Sequence, residues 1–141
     1  MKLKPVIDRL KAAALPLGAR VAGTAEFEAA IDTAELALPA AFVMPLSERV
    51  AESRFAPKVV QVVEERFAVI VCVANTVDPR GQAGAELLDD IRAALWTALI
   101  DWSPAGDLAP CEYRGSRHLA MSRGRLWHQY DFAVMAVLAN P

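Results

Sequence analysis

His118 and His128 are the first residues to weigh for chemistry, because imidazole exchanges a proton near neutral pH and is the commonest nitrogen ligand for metals. They flank MSRGR nearly symmetrically, so a turn there brings them within reach of each other, and Glu112 or Asp131 would supply a carboxylate for a metal. Neither has a ligand partner at the tight i, i+2 or i, i+4 spacing, so both read as packing or surface residues. Cys72 sits in VIVCVAN, where burial raises a thiol's pKa and blocks access to it; Cys111 lies about forty residues further on, and no disulfide framework or zinc ribbon is suggested. Ser47, Ser53, Ser103, Ser116 and Ser122 lack the strand, sharp turn and helix of a nucleophile elbow. GQAG lacks the further glycine and the Lys-Ser/Thr pair of a phosphate loop. Glu64 and Glu65 would point to opposite faces of a strand, and Asp89 and Asp90 read as the solvated side of a helix. The expectation is a chain with no catalytic residue, no metal and no cofactor, and so not an enzyme.

One constellation carries more weight. Arg114, Arg117, Arg123 and Arg125 gather around the same turn, with Trp127 and Tyr130 just beyond it. Arginine with aromatics is the toolkit of single-stranded nucleic-acid binding, and the same residue types are enriched in protein interfaces. The chain as a whole carries 15 basic and 17 acidic residues for a formal net charge of -2, so no basic face is advertised for phosphate. Arg123, Arg125 and Trp127 are therefore expected to contact a protein partner, with no sequence-specific contact to nucleic acid.

Elements must position these groups. Leu3, Val6, Ile7, Leu10, Ala13 and Ala14 recur at helical spacing, with Pro5 in the first turn and Pro16 and Gly18 past the end. TAEFEAAID predicts a brief second helix capped by Thr24. Phe42 to Met44, bracketed by Pro39 and Pro45, predicts a short strand over Ala40 to Met44 that lies at an edge or ends in a bulge, followed by a polar loop, SERVAESRFAPK. VVQVVEERFAVIVCVAN is the strongest strand signal, with Val59, Gln61, Val63, Glu65, Phe67, Val69, Val71 and Val73 on one face. At about 3.3 Å per residue it would reach roughly 50 Å, far beyond an ordinary strand, which predicts a β-arm projecting from the domain body. Asn75 to Gly81 reads as a turn, and a helix from Ala85 to Ile100 places Leu88, Ile91, Leu95, Ala98 and Leu99 on one face, with Trp96 one residue off the stripe and so partly buried or at an interface. Strands over Glu112 to Leu119 and Leu126 to Leu138 close the chain, joined by a turn in which Gly124 supplies a positive φ.

The order predicts an α+β fold: an antiparallel-dominated sheet of about four strands with helices on one face, plus the arm. At 141 residues, one domain spanning 1–141 buries roughly two thirds of its unfolded surface without a metal or disulfide. The composition, 55% hydrophobic and 23% charged, is that of an ordinary globule whose apolar excess goes into a core, an oligomer interface, or both. Asp8, Arg9 and Lys11 interrupt the apolar N-terminal stretch that a signal peptide requires, and no run reaches the roughly 18 residues of a membrane span, so a reducing cytoplasm is the expected compartment. Val59, Val60, Val62, Val63 and Trp96 are the candidate subunit interface.

The segments LPAAFVMPLSE, RFAVIVCVAN, ELLDDIRAAL with its following Trp and proline loop, and EYRGSRHLAMSRGRLWHQYDFAV make the chain similar to the tail terminator-like, or tail completion, proteins of tailed phages and prophages. The resemblance covers nearly the whole chain and carries no catalytic signature. It implies a small α+β subunit that forms a ring, typically a hexamer, on the head-proximal end of the tail tube, where it stops tube growth and offers a surface to head-tail connector proteins. The implied partners are copies of itself, the tail tube protein and connector proteins, with no membrane; the implied location is the host bacterial cytoplasm during assembly and then the virion tail. Another neck or head-tail joining subunit, and a small cytoplasmic ligand-binding domain or enzyme without a recognisable site, are the alternative readings.

Overall fold

The computed structural model describes residues 1–13, 15–16, 20–31, 36–74, 82–122 and 124–139. Along the chain these form α1 (Lys4–Ala12), β1 (Val21–Ala22), α2 (Thr24–Ile31), β2 (Ala40–Arg54), β3 (Val60–Ala74), α3 (Gln82–Leu99), β4 (Glu112–Ser122) and β5 (Arg125–Ala139). The five strands make one sheet in the order β1-β2-β3-β5-β4, antiparallel except for the β1–β2 pair. The fold is α+β, as expected, with a fifth strand too short to show a periodicity. The expected turn over Asn75 to Gly81 lies outside the described residues, whereas Gly124 has the positive φ, 70°, that its turn requires.

The period of two in β3 sorts its side chains between two apolar layers. Phe67, Val69, Val71 and Val73 meet Val6 and Leu10 of α1, Ile91, Leu95 and Leu99 of α3, and Tyr130, Phe132 and Val134 of β5. Phe67 and Phe132 stack at its centre, ring centroids 5.7 Å apart. Ala68, Ile70 and Cys72 turn the other way, toward Ala30 of α2, Phe42 and Trp127. The expectation of helices on one face therefore holds for α1 and α3 and fails for α2. A stripe of Phe27 and Ala30 says that α2 needs a sheet to cover it, but not which side.

Local chemistry fixes the helix ends. In α2 the Gly23 N–H donates to Glu26 Oε2 (3.2 Å), half of a capping box, so Glu26 rather than the expected Thr24 supplies the side-chain cap. Arg9 of α1 donates to the carbonyl of Ala98 (2.9 Å), satisfying an acceptor in the last turn of α3 that has no partner within the helix. Tyr130 fastens α3 to the sheet through its hydroxyl, which donates to the Leu88 carbonyl (3.1 Å).

The largest departure from expectation is β2. It does not stop at Met44 but runs on to Arg54, and the segment expected to be a polar loop pairs with β3 from Ser47↔Arg66 to Arg54↔Val60. Bulges between Pro45 and Ser47 and between Val50 and Glu52 break its alternation, and its outer residues are exposed on both faces, so no apolar period marks them as strand. The bulge expected beside Pro45 is present; the strand continues through it. In turn, β3 is not a lone strand: β2 and β5 flank it along its length, from Arg54↔Val60↔Ala139 inward.

Candidate functional site

The far end of β2, β3 and β5, with the hairpin between Arg54 and Val60, is where apolar side chains meet water. Phe55 in that hairpin is 73% exposed and Val137 is 64% exposed, and Val50, Val59 and Leu138 are about half exposed. Val60 and Val62 are half-buried. Of the four valines expected at an interface, Val63 differs: only 2% exposed, it is covered by its own subunit, because it shares the face of Phe67 and Val69. On the opposite face, Val62 and Val137 are direct cross-strand partners. Together with Phe55 and Val50, Val137 is what sequence reasoning missed. The signal for Phe55 is an aromatic residue inside an otherwise polar RFAPK; for Val50 there is none, since its neighbours carry no strand pattern.

Trp96 is half-buried, as expected. It packs against the core, with Tyr113 edge-on at 5.3 Å and the Arg92 guanidinium 4.9 Å from its ring centroid. The expected partner-contact turn is redistributed. Arg123 lies outside the described residues. Arg125 and Trp127 are both buried, because the odd positions of β5 face the α2 layer; Trp127 stacks on Phe42 and meets Phe27 edge-on. Beside Trp127 a cleft of about 210 Å³ opens between α2 and the β4 edge, lined by Phe27, Ile31, Leu119, Ala120 and Trp127.

The strongest electrostatic feature is built on Glu64, one of the two adjacent strand carboxylates. Glu64 is 3% exposed, with Arg66 and Arg114 (3.2 Å) donating to its two oxygens and Arg49 at 3.6 Å. Arg114 occupies the β4 bulge between Tyr113 and Gly115 and reaches Glu64 on the far side of β5; it also pairs with Glu112 at 2.7 Å. The Arg66 hydrogen bond is the chief cause holding the Glu64 pKa below its ordinary value, against desolvation, with Arg114 adding to it. Guanidinium groups, more than apolar wall, cover this carboxylate. It ties β4 to β3 across β5 at the base of the exposed strand ends, with Arg49 of β2 nearby.

The groups weighed for catalysis are placed as follows. His118 and His128 are direct cross-strand partners, ring centroids 6.3 Å apart. Burial, then His118 and Arg92, lowers the His128 pKa. Among the described residues no group of three or more His, Cys, Asp or Glu is arranged to hold a metal. Both cysteines are free and buried, and desolvation pushes each thiol up to about 12. Among the described residues no helix is long and apolar enough to cross a membrane.

The sheet, the two apolar layers and the exposed strand ends can be set beside known proteins. The family model for the phage tail terminator protein matches residues 1–140. The chain belongs to the phage tail terminator family. A comparison with curated proteins finds no match. Among solved structures, a chain of the virion of a native gene transfer agent particle is similar in fold, with a TM-score of 0.56 and 18% identity over 94% of this chain and 92% of that one. Family membership makes this a structural tail protein of a phage-type virion.

Proposed function

We propose that this tail terminator-family subunit assembles into a closed ring, a hexamer, that caps the head-proximal end of a tail tube and presents the surface to which connector proteins bind. The observation that carries the reading is the set of apolar side chains exposed where β2, β3 and β5 run on together: Val50, Phe55, Val59, Val137 and Leu138. So much clustered apolar surface is seldom left to water by a soluble protein. In this reading the strand ends and their hairpin act as an arm that lies on the neighbouring subunit. Contacts of that kind join two different surfaces, head to tail, and close into a ring when the rotation permits. Assembly takes place in the host cytoplasm, and the work of the protein is binding rather than turnover.

The test is substitution on the arm. Val137→Asp with Val62→Asp places two charges on one face, at positions outside the buried core, and should abolish rings while circular dichroism still reports a folded subunit. Val59→Asp with Leu138→Asp tests further exposed arm positions. Rings are counted by electron microscopy and mass by light scattering, with and without tail tubes. Parent-like assembly by both double variants would overturn the arm, and a parent that forms no ring even on tubes would overturn the cap.

A further inference from the structure

Phe55 and the cleft beside Trp127 lie at opposite ends of the same sheet. Phe55 follows the Arg54↔Val60 pair at one end, whereas Trp127 pairs with Cys72 near the other, about 40 Å away along the strands. A subunit cannot fill its own cleft with its own hairpin. We propose that the Phe55 ring of one copy seats in the Phe27/Ile31/Leu119/Ala120/Trp127 cleft of the next copy, a knob and socket that sets the head-to-tail register of the assembly. The inference rests on the ring-forming reading above and names the contact that would make it.

Three observations fit the two surfaces to each other. Phe55 is the most exposed large apolar side chain among the described residues, held on a hairpin whose strands are paired up to Arg54 and Val60, so presenting it costs little ordering. The cleft is apolar and has room for a ring: an enclosed apolar cavity of about 150 Å³ accepts benzene, and this open cleft of about 210 Å³ is lined by Phe27 and Trp127 with aliphatic groups beside them. The cleft is flanked by both signs, exposed Glu28 on α2 three residues from Ile31 and exposed Arg117 on β4 two residues from Leu119, and Glu28 is the counter-charge for exposed Arg54 and Lys58, which bracket Phe55. Ile31 and Leu119, at the cleft, are themselves more than a third exposed, so the socket is open to a partner.

Site-directed crosslinking tests this directly. Phe55→Cys and Leu119→Cys are made separately, mixed at assembly concentration, with tail tubes added in a parallel arm, and oxidised gently; the buried native thiols stay silent. The expected product is a mixed disulfide dimer, and a chain carrying both substitutions should give a ladder that ends at the ring. Phe55→Ala, which removes only an exposed side chain and so should fold, is expected to weaken self-association by about ten- to a hundredfold, and Leu119→Glu similarly. Rings that form without any mixed disulfide, together with a Phe55→Ala variant that assembles like the parent, would overturn the knob and socket and leave the ring reading standing. Disulfides only between two Phe55→Cys chains would also overturn it. A parent that never self-associates, even on tubes, would remove both readings.

Discussion

Glu64→Gln is the substitution that separates charge from shape at the base of the exposed strand ends. The amide has nearly the same size as the carboxylate, so packing is kept while three guanidinium groups lose their shared counter-charge. The Arg66 and Arg114 contacts are charge-assisted hydrogen bonds, each of a kind worth about 1.5–3 kcal/mol net. The Arg49 side chain is 66% exposed and adds little. Glutamine keeps one acceptor, and the arginines can partly rehydrate, so the expected loss is about 1–3 kcal/mol, or roughly 3–10 °C in melting temperature for a chain of this size. The pH dependence gives the sharper test. A carboxylate held below its ordinary value of 4.5 stabilises the fold above that pH and loses its contribution as pH falls toward the folded-state pKa. Denaturant titrations of parent and variant should therefore differ most at pH 7 and converge below about pH 4.5; the other carboxylates titrate in both proteins and largely cancel. A gap that stays constant from pH 7 to pH 3, or a variant as stable as the parent, would refute the account of a charge-paired Glu64.

Two further outcomes follow from titratable groups that full or partial burial shifts. Cys72 and Cys111, buried and with thiols pushed up to about 12, should resist a thiol-specific chromogenic reagent at pH 8 and become reactive together on global unfolding; rapid labelling of either in the folded subunit would contradict their placement. His128, with its pKa lowered by burial, His118 and Arg92, costs the fold nothing above its ordinary 6.5 and destabilises it progressively below, so His128→Gln should flatten the decline in stability from pH 6.5 downward, and an unchanged slope in equilibrium denaturation would refute this.

The legible part of this fold is the part with one wet side and one dry side, or with two dry ones. Phe67 to Val73 reads as strand because its β-branched content is high and both of its faces are apolar, and Leu88, Ile91, Leu95 and Leu99 read as one helical stripe because a single sheet face covers them. The outer half of β2 has two wet sides. Its sequence, SERVAESR, therefore carries no period, and it is a strand only because β3 supplies the hydrogen-bonding partner, which is a property of the pair and not of the segment. Glu64 was legible as an acid on a strand but not as a buried one, since Arg49 and Arg114, which cover it, come from strands far away in sequence. Trp127 has the composition of a contact residue and is buried because α2 covers the sheet face opposite α1 and α3, a second covered face that no pattern within β5 announces.

The same division between faces and edges bears on how the proposed arm would bind. An unpaired strand edge invites any other strand, and natural sheets blunt it with charge and bulges. The outer half of β2 carries Glu48, Arg49, Glu52 and Arg54 and two bulges, while β4, at the other side of the sheet, carries Glu112, Arg114 and Arg117 with Gly115 at φ 129°. Both edges are thus poor templates for an added strand. Val62, Val137 and Leu138 project instead from the faces of the two inner strands, and Phe55 from the tip. Attachment through faces and a single aromatic tip selects a partner by shape, whereas attachment through backbone edges would accept many partners and could continue without limit. The closed ring proposed above, which stops at a fixed number of copies, would be better served by the first kind of contact.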